Sequence, residues 1–343
     1  MFIRLFKQVL SNIKSTSGEL ILGGRNKQVD EQEHSMVDQL QLQIDDAFYN
    51  VLLGSKDKGS GAKVKAIESA VAAQIETVLE QPELIVNELP VMPHSVASMI
   101  SMMSSDDFDI QKLLVLIRQE PAVVSSIIAT ANSPMYKRSE KDVVSLKSAF
   151  VQLGSDGIKE AVLMSFIKQF CTHKAAHYQA FGENIWSHAQ HSALYARKIA
   201  MEETDAEDAN VAFIAGMINQ LGKMVIFNLI VDAFTASNVK EIPSTKFIKQ
   251  LIQQRSVNLV WSIAEHWNLP PEICGALENP HRSYVSCDSI AAFVSQGAVI
   301  SQLEIIQNAQ ALPLDICMQY ADKKLMTTEV SSLLYVVLGK KQE

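Results

Sequence analysis

The stretch Ala212-Phe213-Ile214-Ala215-Gly216-Met217-Ile218-Asn219-Gln220-Leu221-Gly222-Lys223 decides how this chain reads. It is apolar or glycine up to the amide pair Asn219-Gln220, and its glycines sit at Gly216 and Gly222. Apolar spacing predicts one helix from Ala206 to Leu221 and another from Met224 to Phe234, so the amide pair falls where two helices meet. Asn and Gln side chains carry no charge and ligate transition metals poorly. Lys223 follows a glycine, but no glycine-rich loop precedes it, so it is not a phosphate-loop lysine. Its ordinary role is capping or solvation.

Outward from this stretch the pattern stays helical. Upstream, Ile185 to Met201 reads as a helix carrying His188 and His191 on one face. Before it come Val143 to Leu153 and Ile158 to Phe170, joined across Gly154, and a helix from Pro121 that stops at Asn132-Ser133-Pro134. Asp109 to Arg118 and Pro93 to Met103 precede those. Downstream, helices are predicted over Ser244 to Arg255, Asn258 to Trp267, Pro271 to Leu277, Ile290 to Ala309, Pro313 to Ala321 and Thr328 to Leu338. No alternating strand pattern of any length occurs, so the fold class is all-α.

The chain has 343 residues, enough for two or three domains, and 48% of them are hydrophobic, enough for a sizeable core. Basic residues number 30 against 38 acidic, a net charge of −8, which disfavours sequence-independent nucleic-acid binding. The cysteines Cys171, Cys274, Cys287 and Cys317 are far apart and form no CxxC pair, so reduced thiols in a cytosolic protein are expected. No uninterrupted apolar run approaches the ~18–20 residues that span a bilayer, so no transmembrane segment is expected.

Residues 1–80 form a helical N-terminal region, with helices over Ser35 to Leu53 and Ala62 to Leu79. The glycine- and serine-rich residues 54–61 are its linker. Met1 to Ile13 is a basic amphipathic segment without the continuous apolar core of a signal peptide. It suits packing against its own protein or a sister subunit, as in a homodimer, better than membrane-surface contact, for which the same pattern is competent.

The quoted stretch resembles the signature helix of the HD superfamily of metal-dependent phosphohydrolases, approximately GLLHDIGK. There a His-Asp pair binds metal with an earlier His and a later Asp. Further motifs narrow the resemblance. Leu89-Pro90-Val91-Met92-Pro93, Gln119-Glu120-Pro121-Ala122, Asn132-Ser133-Pro134-Met135-Tyr136, Leu153-Gly154 and Trp267-Asn268-Leu269-Pro270 occur in the order seen in the HD-related output domain, HDOD. The resemblance covers 82–300 and leaves 301–343 as C-terminal helices packed on that domain. It implies a bacterial, cytoplasmic, regulatory protein whose partners are other signalling proteins of unknown identity.

The metal chemistry of the superfamily needs imidazole and carboxylate to hold a divalent ion that polarises phosphate and acidifies a bound water. Here Asn219 and Gln220 occupy the His-Asp positions. No Asp lies between Ser289 and Gln302, and a paired histidine is reduced to His281. The remaining site positions are His188, His191, Asn219, Gln220, Lys223 and His281. The motif positions Pro121, Asn132, Ser133, Gly154, Trp267 and Pro270 are framework. No cofactor and no catalytic residue is expected, and hydrogen bonding at a helix interface is the ordinary role for His188 and His191. Cys171, His173 and His177 have zinc-like spacing without an evident fourth ligand. The expected function is a non-catalytic signalling module acting through protein contacts. The alternative is an atypical metal-dependent phosphohydrolase or nucleotide-binding enzyme built on His188, His191 and His281.

Overall fold

Serine caps and first-turn prolines set where many of the helices begin. In the computed structural model Ser145, Ser244 and Ser289 each accept a hydrogen bond from the backbone N–H three residues on, at 3.1–3.2 Å. Pro82, Pro121 and Pro271 occupy first-turn positions, where a missing N–H leaves nothing unsatisfied. The structure describes residues 2, 31–54, 62–89, 98, 110–118, 120–133, 136–137, 140–171, 176–237, 243–277, 289–325 and 328–339, and among them there is no strand.

The helices run α1 (Glu31–Leu53), α2 (Ala62–Leu79), α3 (Pro82–Val86), α4 (Ile110–Arg118), α5 (Pro121–Ala131) and α6 (Leu146–Ile167). After a 3₁₀ turn at Lys168–Cys171 come α7 (Ala176–Glu203), α8 (Ala206–Asn219), α9 (Leu221–Ala236), α10 (Thr245–His266) and α11 (Pro271–Ala276). The chain closes with α12 (Ile290–Asn308), α13 (Leu314–Lys324) and α14 (Thr328–Gly339).

The centre of the molecule is α7, packed along α12 on one side and α8 on another. Helix α9 packs on α10 and buries almost its whole circumference, from Leu221 to Phe234. A smaller cluster of Leu113, Ile117, Ile127, Leu153 and Ile158 joins α4, α5 and α6. The N-terminal helices belong to the main core. Leu40, Ile44, Phe48 and Leu52 of α1, and Val71, Ile75 and Val78 of α2, share it with Phe293 and Leu303 of α12. Phe2 is fully buried in the same core and its N–H donates to Asp232 at 2.5 Å; the rest of the Met1 to Ile13 segment lies outside the described residues.

Several boundaries differ from the sequence reading. Helix α10 is continuous where two helices were predicted, whereas α6 is broken by a kink at the glycine expected to join its two predicted halves. In α6 the chain kinks at Gly154, with φ 69° and ψ −174°, a conformation glycine alone adopts without strain. In α10 the polar run through Ser256 and Asn258 looked like a break, yet Ser256 is buried against α9. Helix α7 begins at Ala176 rather than Ile185, and α12 runs through residue 300, so the expected boundary at 300–301 falls inside one helix.

The membrane expectation also needs correction. Asp208–Ala236 and Ile290–Asn308 are long and apolar enough to cross a bilayer by length and composition. A search for uninterrupted apolar runs missed them because single polar residues punctuate both. Inside the protein 83% of the one window and 56% of the other are buried, and a helix enclosed by neighbours is apolar on every side. The predicted helix over Pro93 to Met103 and most of the 54–61 linker lie outside the described residues.

Candidate functional site at the α7–α8–α12 junction

His188 and His191 lie one turn apart on α7 and meet two residues one turn apart on α12. His188 Nδ1 is 3.0 Å from Ser301 Oγ, and His191 Nδ1 is 2.7 Å from Glu304 Oε2. Tyr195, a further turn along, donates its hydroxyl to the same Glu304 oxygen at 2.9 Å. Both histidines are therefore committed to the helix interface. His188 is buried, and its pKa is held well below 6.5 first by that burial, then by the nearby positive charge of Lys223 and by His191; a hydrogen bond with Gln220 opposes the shift.

Asn219 ends α8, Gln220 caps the start of α9, and Lys223 stands in the first turn of α9. Gln220 is fully buried, and its Oε1 accepts a hydrogen bond from Lys223 Nζ at 2.6 Å. The glycines of the quoted stretch are there for space. A Cβ on Gly222 would stand 2.1 Å from the Ser256 carbonyl oxygen of α10, and one on Gly216 would stand 2.8 Å from Cα of Ala193 on α7. The framework that brings the site together is thus intact.

Helix α1 roofs this site. Phe48 sets its ring edge-on to His188, with centroids 4.8 Å apart. Asp45 accepts amide hydrogens from Gln41 at 3.0 Å, Gln253 at 2.7 Å and Gln302 at 3.1 Å, which ties α1 to α10 and α12. Tyr320 of α13 donates to Gln41 Oε1 at 2.7 Å, and Asp46 pairs with Lys249. Between roof and floor lies a cleft of about 410 Å³, lined by His188, Asn219 and Lys223 below and by Asp45, Tyr320 and Lys324 above and beside.

A divalent metal does not fit this donor set. Two of the floor positions are neutral amides, a lysine ammonium touches one of them, and the His188 ring is bonded to Ser301. Among the described residues no group of three His, Cys, Asp or Glu side chains is placed to hold an ion. His281 and His173 lie outside the described residues, as does the side chain of His177; Cys171 is buried, with its thiol on the sulfur of Met224 and its pKa pushed up to about 12 by burial.

The motif positions do structural work. The Asn132 amide donates to the Val143 carbonyl and accepts from the Val143 N–H, both at 2.8 Å, clamping the loop between α5 and α6. Ser133 bonds back to Thr130 at 2.7 Å. Tyr136 donates to Glu160, which also pairs with Arg197 of α7. Trp267 caps α10, its ring against Phe166 and Phe170, and Pro270 precedes the first turn of α11. Sequence reasoning missed Asp45, Phe48, Ser301, Glu304, Tyr320 and Lys324, which reach the site from helices distant in sequence. Glu304 left one signal, as the lone charged side chain of α12.

An all-helical domain built around a histidine-bearing central helix is HD-like. The profile of the HDOD domain matches residues 89–283, more than half of the chain, and the chain belongs to the HDOD family, which relates to the HD phosphohydrolase superfamily. A Shewanella amazonensis protein whose name, phosphohydrolase, is provisional is similar at 17% identity and a TM-score of 0.53, over 75% of this chain and 92% of that one. An HDOD domain protein of unknown function from Geobacter sulfurreducens is 18% identical over 77% of this chain and 97% of its own, with a TM-score of 0.49. A Marinobacter aquaeolei protein provisionally named for signal transduction is 16% identical over 89% of this chain and 64% of its own, also at 0.49. No curated protein matches.

Proposed function

We propose that this chain is a non-catalytic signalling module that works in the cytoplasm through protein–protein contacts. The observation that carries the reading is the Lys223–Gln220 contact. At the positions where an HD hydrolase needs an imidazole and a carboxylate, this protein has two amides, and its own ammonium rests on one of them. A fixed positive charge there opposes a divalent cation. The unpaired thiols of Cys171, Cys274 and Cys317 support a reducing compartment.

The test is elemental analysis of the purified full chain, followed by assays with nucleotides and cyclic dinucleotides, and co-purification from a lysate. Substoichiometric iron, manganese and zinc, no turnover and a specific protein partner are expected. Stoichiometric metal that is lost in His188→Ala, or measurable hydrolysis, would overturn the reading.

A further inference from the structure

The cleft between α1 and the emptied ligand positions retains the features of a binding site. Its volume of about 410 Å³ lies within the ~300–1,000 Å³ range of small-molecule sites. Its charge balance favours an anion. Lys223 and Lys324 face it, and the carboxylate that also faces it, Asp45, already accepts hydrogen bonds from three glutamine amides. His188, the remaining titratable group on the floor beside Lys223, is held neutral.

The floor also presents one side-chain amide that the protein itself leaves without a partner. Asn219 lines the cleft, is only 7% exposed, and its side chain has no hydrogen bond among the described residues. Behind it, outside the lining of the cleft, the Gln220 Nε2 group is buried without a partner. A buried amide without a partner costs free energy unless water or a ligand completes it. The walls add apolar area, because Phe48, Tyr49 and Tyr320 line the same space. Two ammonium groups, an unsatisfied amide and aromatic walls describe a host for a small molecule with an anionic head and an apolar or planar body.

We propose that this cleft binds a small organic anion, of mononucleotide size or below, through Lys223, Lys324 and Asn219. Because α1 supplies one wall through Asp45, Phe48 and Tyr49, the ligand bridges α1 to the rest of the domain, and occupancy holds α1 down. The site would give a contact-based signalling protein a chemical input, and it stands whether or not a particular partner is recruited.

The experiment titrates the full chain calorimetrically with AMP and with benzoate, using adenosine and matched sodium chloride as controls. Hydrogen exchange is followed over residues 39–53. At least one of the two anions is expected to bind one-to-one and to slow exchange in α1, and adenosine is not. Lys324→Met, at the rim, is expected to weaken binding about tenfold, as loss of a charge-assisted hydrogen bond does, and Asn219→Ala by a similar factor. Absence of binding by both anions, equal binding of adenosine, or affinity unchanged in both variants would overturn the proposal. Hydrolysis of bound AMP would sink the non-catalytic reading and leave this site standing.

Discussion

Lys223 donates a hydrogen bond from its ammonium to the side-chain oxygen of Gln220 at 2.6 Å, so the chain holds its own cation against the amide pair. The arrangement has an electrostatic logic. An Asp at 220 would tolerate or need a metal; a neutral amide can accept only modest charge, and a lysine one turn away supplies it. The same ammonium pushes the buried His188 further toward its neutral form, so the lysine that contacts Gln220 also sets the state of the histidine.

Lys223→Met should therefore cost stability. It strips a buried oxygen of its donor, a loss of about 1–3 kcal/mol in chemical denaturation. It should also raise the His188 pKa, because one of the charges depressing it is gone. Histidine-selective NMR titration of the variant against the parent checks this. An unchanged His188 pKa would mean that the Lys223 charge does not reach the ring.

Helix content was legible because burial on one face writes a 3.6-residue period into the sequence, and Ala62–Leu79 was read to the residue. Boundaries were lost where tertiary contacts override local polarity, as at Ser256, which is buried although polar. The floor of the site was legible through Asn219, Gln220 and Lys223 because they are contiguous in the chain. Its roof was not. Asp45 reaches Gln253 and Gln302 across more than two hundred residues of sequence, and an aspartate on an amphipathic helix looks like any solvated charge until its partners are in place.

Acid should destabilise the protein through His188. Its folded pKa lies well below the unfolded value of 6.5, so the unfolded chain binds the proton first. Above about pH 6.5 both states are neutral and the stability is fully present. As pH falls below that value stability is lost, at up to about 1.4 kcal/mol per pH unit, until the folded pKa is reached. His188→Gln keeps a polar group toward Ser301 and cannot titrate. Thermal midpoints of the two proteins measured from pH 8 to pH 5 should converge as pH falls. A constant difference would remove His188 as the acid-sensitive group.

Asn132→Ala should loosen one loop more than it unsettles the molecule. The Asn132 amide satisfies both the N–H and the C=O of Val143, which is itself buried in the smaller core. Losing both bonds should cost about 1–3 kcal/mol. Hydrogen exchange should accelerate at Val143 and at the start of α6, with α7 to α9 unaffected. Asn132→Asp tests the geometry, because a carboxylate can accept from the Val143 N–H but cannot donate to its carbonyl, so its loss should be partial.

The glycines of the chain should divide sharply by what surrounds them. Gly222→Ala places a methyl group 2.1 Å from the Ser256 carbonyl oxygen and 2.8 Å from the Ser256 carbonyl carbon, which are backbone atoms that cannot swing aside. Helices α9 and α10 must then move apart, and the loss should exceed about 3 kcal/mol, enough to compromise folding. Gly275→Ala, in the short helix α11, meets nothing within 4 Å and adds a better helix former, so it should be neutral or stabilising by up to about 1 kcal/mol. Chemical denaturation of the two variants side by side measures the contrast. If Gly222→Ala were tolerated as well as Gly275→Ala, the close approach of α9 to α10 that holds Gln220 and Lys223 in place would not exist as described.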